Sequence, residues 1–142
     1  MILFLCLGNI CRSPTAEAIA RFLRPDLAFD SAGTGGWHAG EPPYAPMRAT
    51  AAARGLDMSA LRARQITAQD FQQCDWIVAM DEQNLADARA AQPAGSRARL
   101  TLLLDHAPAL GLRDVPDPYY TRDFDAAYDI IEAGVTGFLK PL

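Results

Sequence analysis

The chain has 142 residues, which is enough for one ordinary domain with a buried core and without disulfide or metal staples. Its formal net charge of -4 argues against sequence-independent nucleic-acid binding, and its N-terminal apolar run, residues 1–7, is too short to span a membrane. Three cysteines are an odd number and too few for a secreted disulfide framework, so we expect a cytoplasmic protein with free thiols.

The N-terminal segment predicts a strand, a turn and a helix. Residues 2–6 form a continuous apolar run, which is typical of a strand covered on both faces in a parallel sheet. A turn signal follows at residues 8–9. Ser13 is the expected N-cap and Pro14 the first residue of a helix with one apolar stripe, which ends at Arg24 because proline follows.

The next third of the chain predicts a second strand, a long loop and two helices. Residues 27–32 fit a strand, and the loop after it, residues 33–43, is rich in glycine and proline and is a candidate wall or lid of a site. A helix is expected over residues 46–54, ending at a glycine. Residues 67–70 resemble a capping box that would begin a further helix.

The remaining segments complete an alternating pattern. We expect a third buried strand at residues 76–80, a helix at 82–91, a fourth strand at 99–104 and a closing helix at 123–139. The alternation predicts an α/β fold: a single domain, residues 1–142, with a four-stranded parallel doubly wound sheet and helices on both faces. Ligands of such sheets bind beyond the carboxyl ends of the strands, where the loop after the first strand lies.

That loop has the composition of a phosphate-binding cradle. It reads Cys6-Leu7-Gly8-Asn9-Ile10-Cys11-Arg12-Ser13. Backbone N–H groups of a tight loop and the positive end of the next helix bind anions, and Gly8 and Asn9 both tolerate the positive φ that tight loops need. The same field favours the nucleophilic thiolate of Cys6, to which Ser13 can donate a hydrogen bond. Arg12 can donate to two phosphoryl oxygens at once, which lysine cannot do.

A distant segment offers the proton donor that expulsion of an alcohol or phenol from phosphorus requires. Asp117 lies between Pro116 and Pro118, which restrict the backbone, and Tyr119 and Tyr120 follow. The carboxyl group can therefore be held in one place and partly screened, as a general acid requires. Taken alone, an Asp-Pro pair is also a common turn signal.

Together these segments resemble the low-molecular-weight protein-tyrosine phosphatase family. CLGNICRS and DPYY carry the resemblance, which extends over essentially the whole chain through the order of elements and through segments such as residues 63–66 and 80–82. It implies hydrolysis of phosphotyrosine in proteins, and of small aryl phosphates, with no metal or cofactor. Cys6 would take the phosphoryl group, and Asp117 would protonate the departing phenol and then activate water.

The resemblance also implies roles for supporting residues. Arg12 and the loop amides would stabilise the phosphoryl oxygens, and Asn9 would brace the loop through neighbours such as Ser31. Trp37, together with Tyr119 and Tyr120, would wall a cleft deep enough to favour phosphotyrosine over phosphoserine. The partner would be a tyrosine-phosphorylated protein, and the chain itself a monomer that self-associates at most weakly.

One departure from the family concerns the network that holds the loop. Many members place a histidine shortly before the Arg-Gln segment, whereas residues 59–64 here contain none. Loop bracing therefore differs in detail, although Cys6, Arg12 and Asp117 are unaffected. Arg64 and Asp81 are expected to form ion pairs or caps.

Several residues admit other interpretations. Cys11 is a packing residue, a redox partner or, as a hypothesis, the thiol that forms a reversible disulfide with Cys6 and protects it from over-oxidation. Cys74 precedes an apolar strand and is expected in the core. His38 and His106 are isolated and are expected at the surface, since neither has metal-ligand spacing.

Two rival functions share parts of this pattern. A non-catalytic phosphate-binding module would keep the cradle without turnover, but the chain retains a nucleophile, an arginine and an acid. A thioredoxin-coupled arsenate reductase has a similar fold and a related oxyanion loop. That chemistry needs a downstream pair of relay cysteines, and this chain has only Cys74 there.

Overall fold

The computed structural model describes residues 1–142, and its centre is one sheet of four parallel strands. The strands are β1 (Ile2–Cys6), β2 (Phe29–Gly33), β3 (Trp76–Ala79) and β4 (Arg99–Leu102), and their spatial order is β2-β1-β3-β4. Every neighbouring pair is parallel. The predicted α/β architecture with a four-stranded parallel sheet is confirmed.

Six helices surround the sheet. They are α1 (Arg12–Leu23), α2 (Ala45–Ala53), α3 (Ala68–Gln73), α4 (Glu82–Ala91), α5 (Pro118–Thr121) and α6 (Phe124–Leu139). Aspartates cap several of them: the Asp81 carboxylate accepts from the Asn84 N–H at 2.7 Å, and the Asp123 carboxylate accepts from the Ala126 N–H at 3.0 Å. None of the helices combines the length and the apolar character needed to cross a bilayer.

The central strand is buried on both faces, as its unbroken apolar sequence predicts. Ile2, Phe4 and Cys6 belong to a core that includes apolar residues of α1, α2 and α6. Leu3 and Leu5 belong to a second core on the other face, with apolar residues of α3 and α4. Helices therefore cover both faces, and β1 can tolerate no polar residue at either set of alternate positions.

Some predicted boundaries were wrong by a few residues. β2 begins two residues later than expected and ends at Gly33, and β4 ends at Leu102, because the two leucines after it start a 3₁₀ turn, Leu103–His106. Both leucines are buried, so the apolar run continues while the backbone turns. Helix α1 begins at Arg12 with Cys11 as its N-cap, so Ser13 is not the cap.

The sheet order places the loop after β1 where ligands of such folds bind. β2 lies on one side of β1 and β3 on the other, so the direction of winding reverses at β1. This reversal opens a crevice beyond the carboxyl end of β1, at Cys6. The topology thus directs the Cys6 loop, the Gly-rich loop after β2 and the segment before α5 to one edge of the sheet.

Candidate active site

The loop between β1 and α1 wraps around the sulfur atom of Cys6. The Asn9 backbone N–H donates to Cys6 Sγ at 3.3 Å, and Ser13 Oγ lies 2.9 Å from the same sulfur. Asn9 has a φ of 58°, the left-handed conformation that asparagine accepts more readily than most residues. The predicted contact between Ser13 and Cys6 is confirmed. Ser13 lies in the first turn of α1 and not at its cap, which leaves its hydroxyl group available to the sulfur.

Gly8 serves the loop through its small size. It does not have the positive φ that the sequence allowed; Asn9 alone adopts that conformation in the loop. A Cβ atom at Gly8 would instead lie 3.1 Å from Cδ2 of His38, a tighter contact than side chains normally make. A larger residue would therefore require the His38 ring to shift.

The Asn9 side chain braces the loop on three sides. Its Nδ2 donates to Ser13 Oγ at 2.8 Å and to Ser31 Oγ at 3.0 Å, and its Oδ1 accepts from the Arg64 backbone N–H at 3.0 Å. Asn9 is 2% exposed. The predicted brace through Ser31 is confirmed, and the segment that lacks the family's histidine contributes a backbone donor at Arg64.

Arg12 is held in place by groups that remove only part of its hydrogen-bonding capacity. Its Nη1 donates to Asp81 Oδ2 at 2.7 Å and to the Val115 carbonyl at 3.0 Å. Burial opposes its charge, but Cys6, Asp81 and Asp117 more than compensate and raise the pKa of Arg12, so it stays cationic. The remaining N–H groups are left to bind an anion.

Asp117 approaches the same guanidinium from the segment before α5. As the N-cap of α5, it accepts from the Tyr119 N–H through Oδ1 at 3.0 Å. Its other carboxylate oxygen, Oδ2, lies 3.5 Å from Arg12 Nη2. The cap fixes one oxygen and turns the other toward Arg12, which is the restraint that the flanking prolines predicted.

These groups surround a cavity of about 310 Å³. Its lining residues are Cys6, Leu7, Gly8, Ile10, Cys11, Arg12, Trp37, His38, Asp117, Tyr119 and Tyr120. Asn9 and Ser13, the other predicted loop residues, lie behind the sulfur and support it without lining the cavity. The structure thus brings the nucleophile candidate, the arginine and the carboxylate together.

Aromatic side chains form the outer wall of the cavity. Trp37 and Tyr120 are 72% and 73% exposed, as a rim above the loop requires. The Trp37 indole lies directly over Gly35, where a Cβ atom would come within 1.8 Å of the ring. Tyr119 packs between Tyr44 and Tyr120, with both ring centroids 5.4 Å from its own. The wall therefore combines exposed aromatic faces with contacts to Gly35 and Tyr44.

His38 is a cavity residue that sequence reasoning assigned only to the surface. Its Nδ1 lies 2.7 Å from Glu41 Oε2, and its ring lines the cavity beside Gly8. Its position next to Trp37 was the available signal, since Trp37 was assigned to the wall. His106 lies elsewhere, where it contacts Thr101 and the ring of Phe138.

The expected structural residues form ion pairs and core contacts. Arg64 bonds to Asp30 and Asp70, while Asp81 caps α4 and pairs with Arg12. Cys74 is 1% exposed, as predicted for a core residue, and burial raises its pKa to about 11. No group of three or more His, Cys, Asp or Glu side chains is arranged to hold a metal ion.

Comparison with known proteins gives matches over the whole chain. A family model described as low molecular weight phosphotyrosine protein phosphatase matches residues 1–142. The chain is 40% identical over 147 residues to the low molecular weight protein-tyrosine-phosphatase YfkJ of Bacillus subtilis, covering 99% of this chain and 94% of that protein. It is 37% identical over 147 residues to low molecular weight phosphotyrosine protein phosphatase 1 of Drosophila melanogaster, covering 98% and 94%.

Solved structures show the same similarity. The crystal structure of YfkJ from Bacillus subtilis superposes with a TM-score of 0.93 at 39% identity, covering 99% of this chain and 92% of that chain. The structure named DARP, drosophila arginine phosphatase, superposes with a TM-score of 0.91 at 33% identity, covering 99% and 96%. Sequence and fold therefore agree along the full length.

Proposed function

The chain belongs to the low-molecular-weight protein-tyrosine phosphatase family, a family of phosphoric monoester hydrolases, and from this premise we propose how its own residues hydrolyse phosphotyrosine. The observation that carries the proposal is the convergence of Cys6, Arg12 and Asp117 on one cavity. These residues come from the two ends of the chain. Their meeting beside the loop in which the Asn9 N–H donates to Cys6 Sγ supports a common chemical task.

In the first step, the Cys6 thiolate attacks phosphorus and forms a cysteinyl-phosphate while the bond to the phenolic oxygen breaks. Asp117 gives its proton to that oxygen, so the leaving group departs as a neutral phenol. Arg12 and the loop amides bind the phosphoryl oxygens, where positioning and electrostatics supply most of the rate enhancement.

In the second step, water attacks the cysteinyl-phosphate. Asp117, now a carboxylate, accepts a proton from the water, phosphate leaves, and the Cys6 thiolate is restored. The contacts to the sulfur from Ser13 and the Asn9 N–H suit both a nucleophile and a leaving group, because both carry negative charge on sulfur. No metal ion or cofactor has a part in either step.

The arsenate reductase alternative is disfavoured by the position of Cys74. Cys74 packs with Phe71 and Ile77 in the core on the opposite face of the sheet from Cys6. A relay thiol must reach the cavity, and Cys74 is separated from it by the sheet. Cys11 is the one other cysteine that lines the cavity.

We further propose that residues 1–142 act as one domain, in the cytoplasm, on tyrosine-phosphorylated proteins. The chain would act as a monomer that self-associates at most weakly. The Cys6 thiol, the Asp117 carboxyl group and the loop from Cys6 to Arg12 all come from one chain, so a single copy has a complete site. Sedimentation of the purified protein together with its specific activity over a range of concentrations tests this.

The aromatic wall leads to a prediction about substrate choice. With EDTA present, a phosphotyrosine peptide should be hydrolysed with kcat/KM at least about a hundredfold above its phosphoserine counterpart, because the shorter side chain cannot bring its phosphoryl group to Cys6 while packing against Trp37. Phosphate release from matched peptides measures this. A phosphoarginine peptide belongs in the panel, since one similar structure is named an arginine phosphatase. Equal rates for phosphotyrosine and phosphoserine would contradict the proposed role of the wall.

A second prediction concerns oxidation of the nucleophile. Peroxide would convert the Cys6 thiolate to sulfenic acid, and the Cys11 thiolate would then attack that sulfur, displace hydroxide and form a disulfide. Burial, with the charges of Cys6 and Asp117, raises the pKa of Cys11 to about 12. Burial is the largest of these causes and persists once Cys6 is a neutral sulfenic acid. Cys11 is therefore mostly a thiol at neutral pH, and we expect bridge formation to accelerate as pH rises.

Peptide mapping after peroxide treatment at a series of pH values measures the bridge, and a thiol reductant should restore activity. Cys11→Ser is the matched variant. In this variant, the thiol reductant should no longer restore activity after peroxide treatment, and sulfonic acid should accumulate at Cys6. Sulfonic acid at Cys6 in the unaltered protein, with no bridge to Cys11 at any pH, would exclude the protective role.

A further inference from the structure

Glu17 is a buried carboxylate that the proposed reaction does not use. It lies on α1 and is 3% exposed. Its Oε1 accepts from the Ser31 hydroxyl at 2.7 Å, and its Oε2 pairs with Arg21 Nη2 at 2.8 Å. The Arg21 side chain is 56% exposed and also donates to the Phe29 carbonyl at 2.8 Å. A buried charge with fixed partners on both oxygens needs a physical reason for its position.

The contacts beyond Glu17 can be assigned a direction. An ionised carboxylate can only accept, so the single hydrogen of the Ser31 hydroxyl points to Glu17. Ser31 Oγ is then left as an acceptor for Asn9 Nδ2, at 3.0 Å. The Arg64 N–H donates to Asn9 Oδ1 at 3.0 Å, which agrees with the same orientation of the Asn9 amide. Glu17 thus keeps the NH₂ group of Asn9 facing the two serines.

The directions of the hydrogen bonds between Asn9, Ser13 and Cys6 can be assigned in the same way. Asn9 Nδ2 donates its second hydrogen to Ser13 Oγ at 2.8 Å, so the Ser13 hydroxyl must donate its own hydrogen elsewhere. Cys6 Sγ is 2.9 Å away, and the alternative acceptor, the Ala32 carbonyl, is 3.4 Å away. The chain of contacts from Glu17 therefore ends in a hydrogen bond that stabilises a thiolate at Cys6.

We propose that Glu17 is a positioning residue for the nucleophile, acting through Ser31, Asn9 and Ser13, and that the surface residue Arg21 is the counter-ion that keeps Glu17 an acceptor. This inference rests on the proposed function. A neutral carboxyl group at position 17 would be able to donate to Ser31, which would free Ser31 to reorient and would remove the constraint on Asn9.

The charges around Glu17 support this role for Arg21. Burial raises the pKa of Glu17, and the charge of Asp30 acts in the same direction. The Ser31 hydrogen bond and the Arg21 guanidinium oppose the rise, and Arg21 is the cation among these influences. An exposed arginine in the last turn of α1, outside the cavity, thus contributes to the state of the Cys6 sulfur.

Two variants of Glu17 separate positioning from packing. Glu17→Gln keeps an oxygen that can accept from Ser31, whereas Glu17→Met has a similar volume and no such acceptor. For Glu17→Met we expect kcat for an aryl phosphate to fall about tenfold, with little change in KM, and the midpoint of the Cys6 alkylation rate against pH to rise by about one pH unit. Glu17→Gln should retain most of the activity and a near-normal alkylation curve.

Arg21 offers a test that leaves the core intact. Arg21→Gln should raise the alkylation midpoint, as Glu17→Met does, but by a smaller amount. Arg21→Lys keeps the positive charge and should have the midpoint of the unaltered protein. Arg97→Gln is the matched control, because Arg97 is an exposed arginine paired with Asp75 at the opposite end of the sheet. It should leave both kcat and the alkylation curve unchanged. If Glu17→Met does not fold, Ser31→Ala breaks the same chain of contacts with a smaller change.

The readouts distinguish failure of this inference from failure of the proposed function. Alkylation of Cys6, followed by mass spectrometry, requires no turnover and can be measured even if the unaltered protein hydrolyses no phosphate ester. If Glu17→Met, or Ser31→Ala in its place, lowers the melting temperature but keeps the normal kcat and alkylation midpoint, Glu17 is a structural residue and the inference is wrong.

Discussion

Replacement of Cys6 by serine should lower kcat for aryl phosphates by about 10⁴- to 10⁶-fold, the range seen when an enzyme loses its covalent nucleophile. The loop contacts explain the size of the effect. The Asn9 N–H and the Ser13 hydroxyl both lie against Cys6 Sγ, where they stabilise a charge that a thiol acquires far more easily than an alcohol. A serine hydroxyl in the same position stays neutral, and in the proposed first step Asp117 serves as the proton donor and not as a base for that hydroxyl.

Binding should survive this replacement, because Arg12 and the loop amides remain. Cys6→Ser should therefore still bind inorganic phosphate in a calorimetric titration while its single-turnover rate collapses. Cys74→Ala is the matched control, since it removes a buried thiol on the other face of the sheet and should keep normal turnover. Equal turnover by Cys6→Ser and the unaltered protein would exclude the thiolate mechanism.

The same variant would identify the physiological partner. A protein that binds its phosphorylated substrate but cannot form the cysteinyl-phosphate holds that substrate long enough for capture. Elution with inorganic phosphate would separate proteins held at the Cys6 loop from those bound elsewhere. Tyrosine-phosphorylated proteins should be enriched in the eluate, and their identity would name the substrate that the sequence alone does not give.

The elements of this site that sequence analysis could predict are those defined by local chemistry. A cysteine at the end of an apolar strand, an arginine at the start of a helix and an aspartate between two prolines each have a local signature. The resemblance to a family then placed Asp117 with Cys6, which spacing could not have done. Asn9 was also predictable, because few residues accept its left-handed backbone.

The residues that were missed depend on contacts between distant segments. Glu17 looks like an ordinary charged residue of an amphipathic helix until Ser31 and Arg21 are placed around it. His38 could be assigned to the cavity only once its packing against Gly8 was known. Such contacts depend on how distant loops pack together at the edge of the sheet, which cannot be predicted from the local sequence.

The ends of elements were uncertain for a related reason. Leu103 and Leu104 continue the apolar pattern of β4 but lie in a 3₁₀ turn, in which both are still buried, so their apolar character did not mark the end of the strand. Ser13 has the residue type of an N-cap, yet the helix begins two residues earlier than predicted, at Arg12, and the Ser13 hydroxyl contacts Cys6 instead. Residue type restricts what a position can do, and tertiary contacts decide between the options.

Replacement of Asp117 by asparagine should lower kcat for phosphotyrosine by about 10²- to 10⁴-fold, the usual contribution of a general acid. In the free protein, Asp117 Oδ2 lies 3.5 Å from Arg12 Nη2. A phosphoryl group bound by Arg12 takes over that guanidinium, which leaves Asp117 facing a dianion. In the proposed mechanism, Asp117 then delivers a proton to the departing phenolic oxygen.

The dependence on leaving group and on pH tests this role directly. The loss should shrink for phenols that are stronger acids, because they depart without a proton. Activity that requires a protonated Asp117 falls as pH rises through its ionisation, so Asp117→Asn should lose the alkaline fall and keep the acidic fall caused by protonation of Cys6. Asp114→Asn removes the same charge from a nearby residue outside the cavity. This control should keep both the acidic and the alkaline fall in activity. An alkaline fall that persists in Asp117→Asn would assign the proton to another group, and the short distance between Arg12 and Asp117 would then be a structural ion pair.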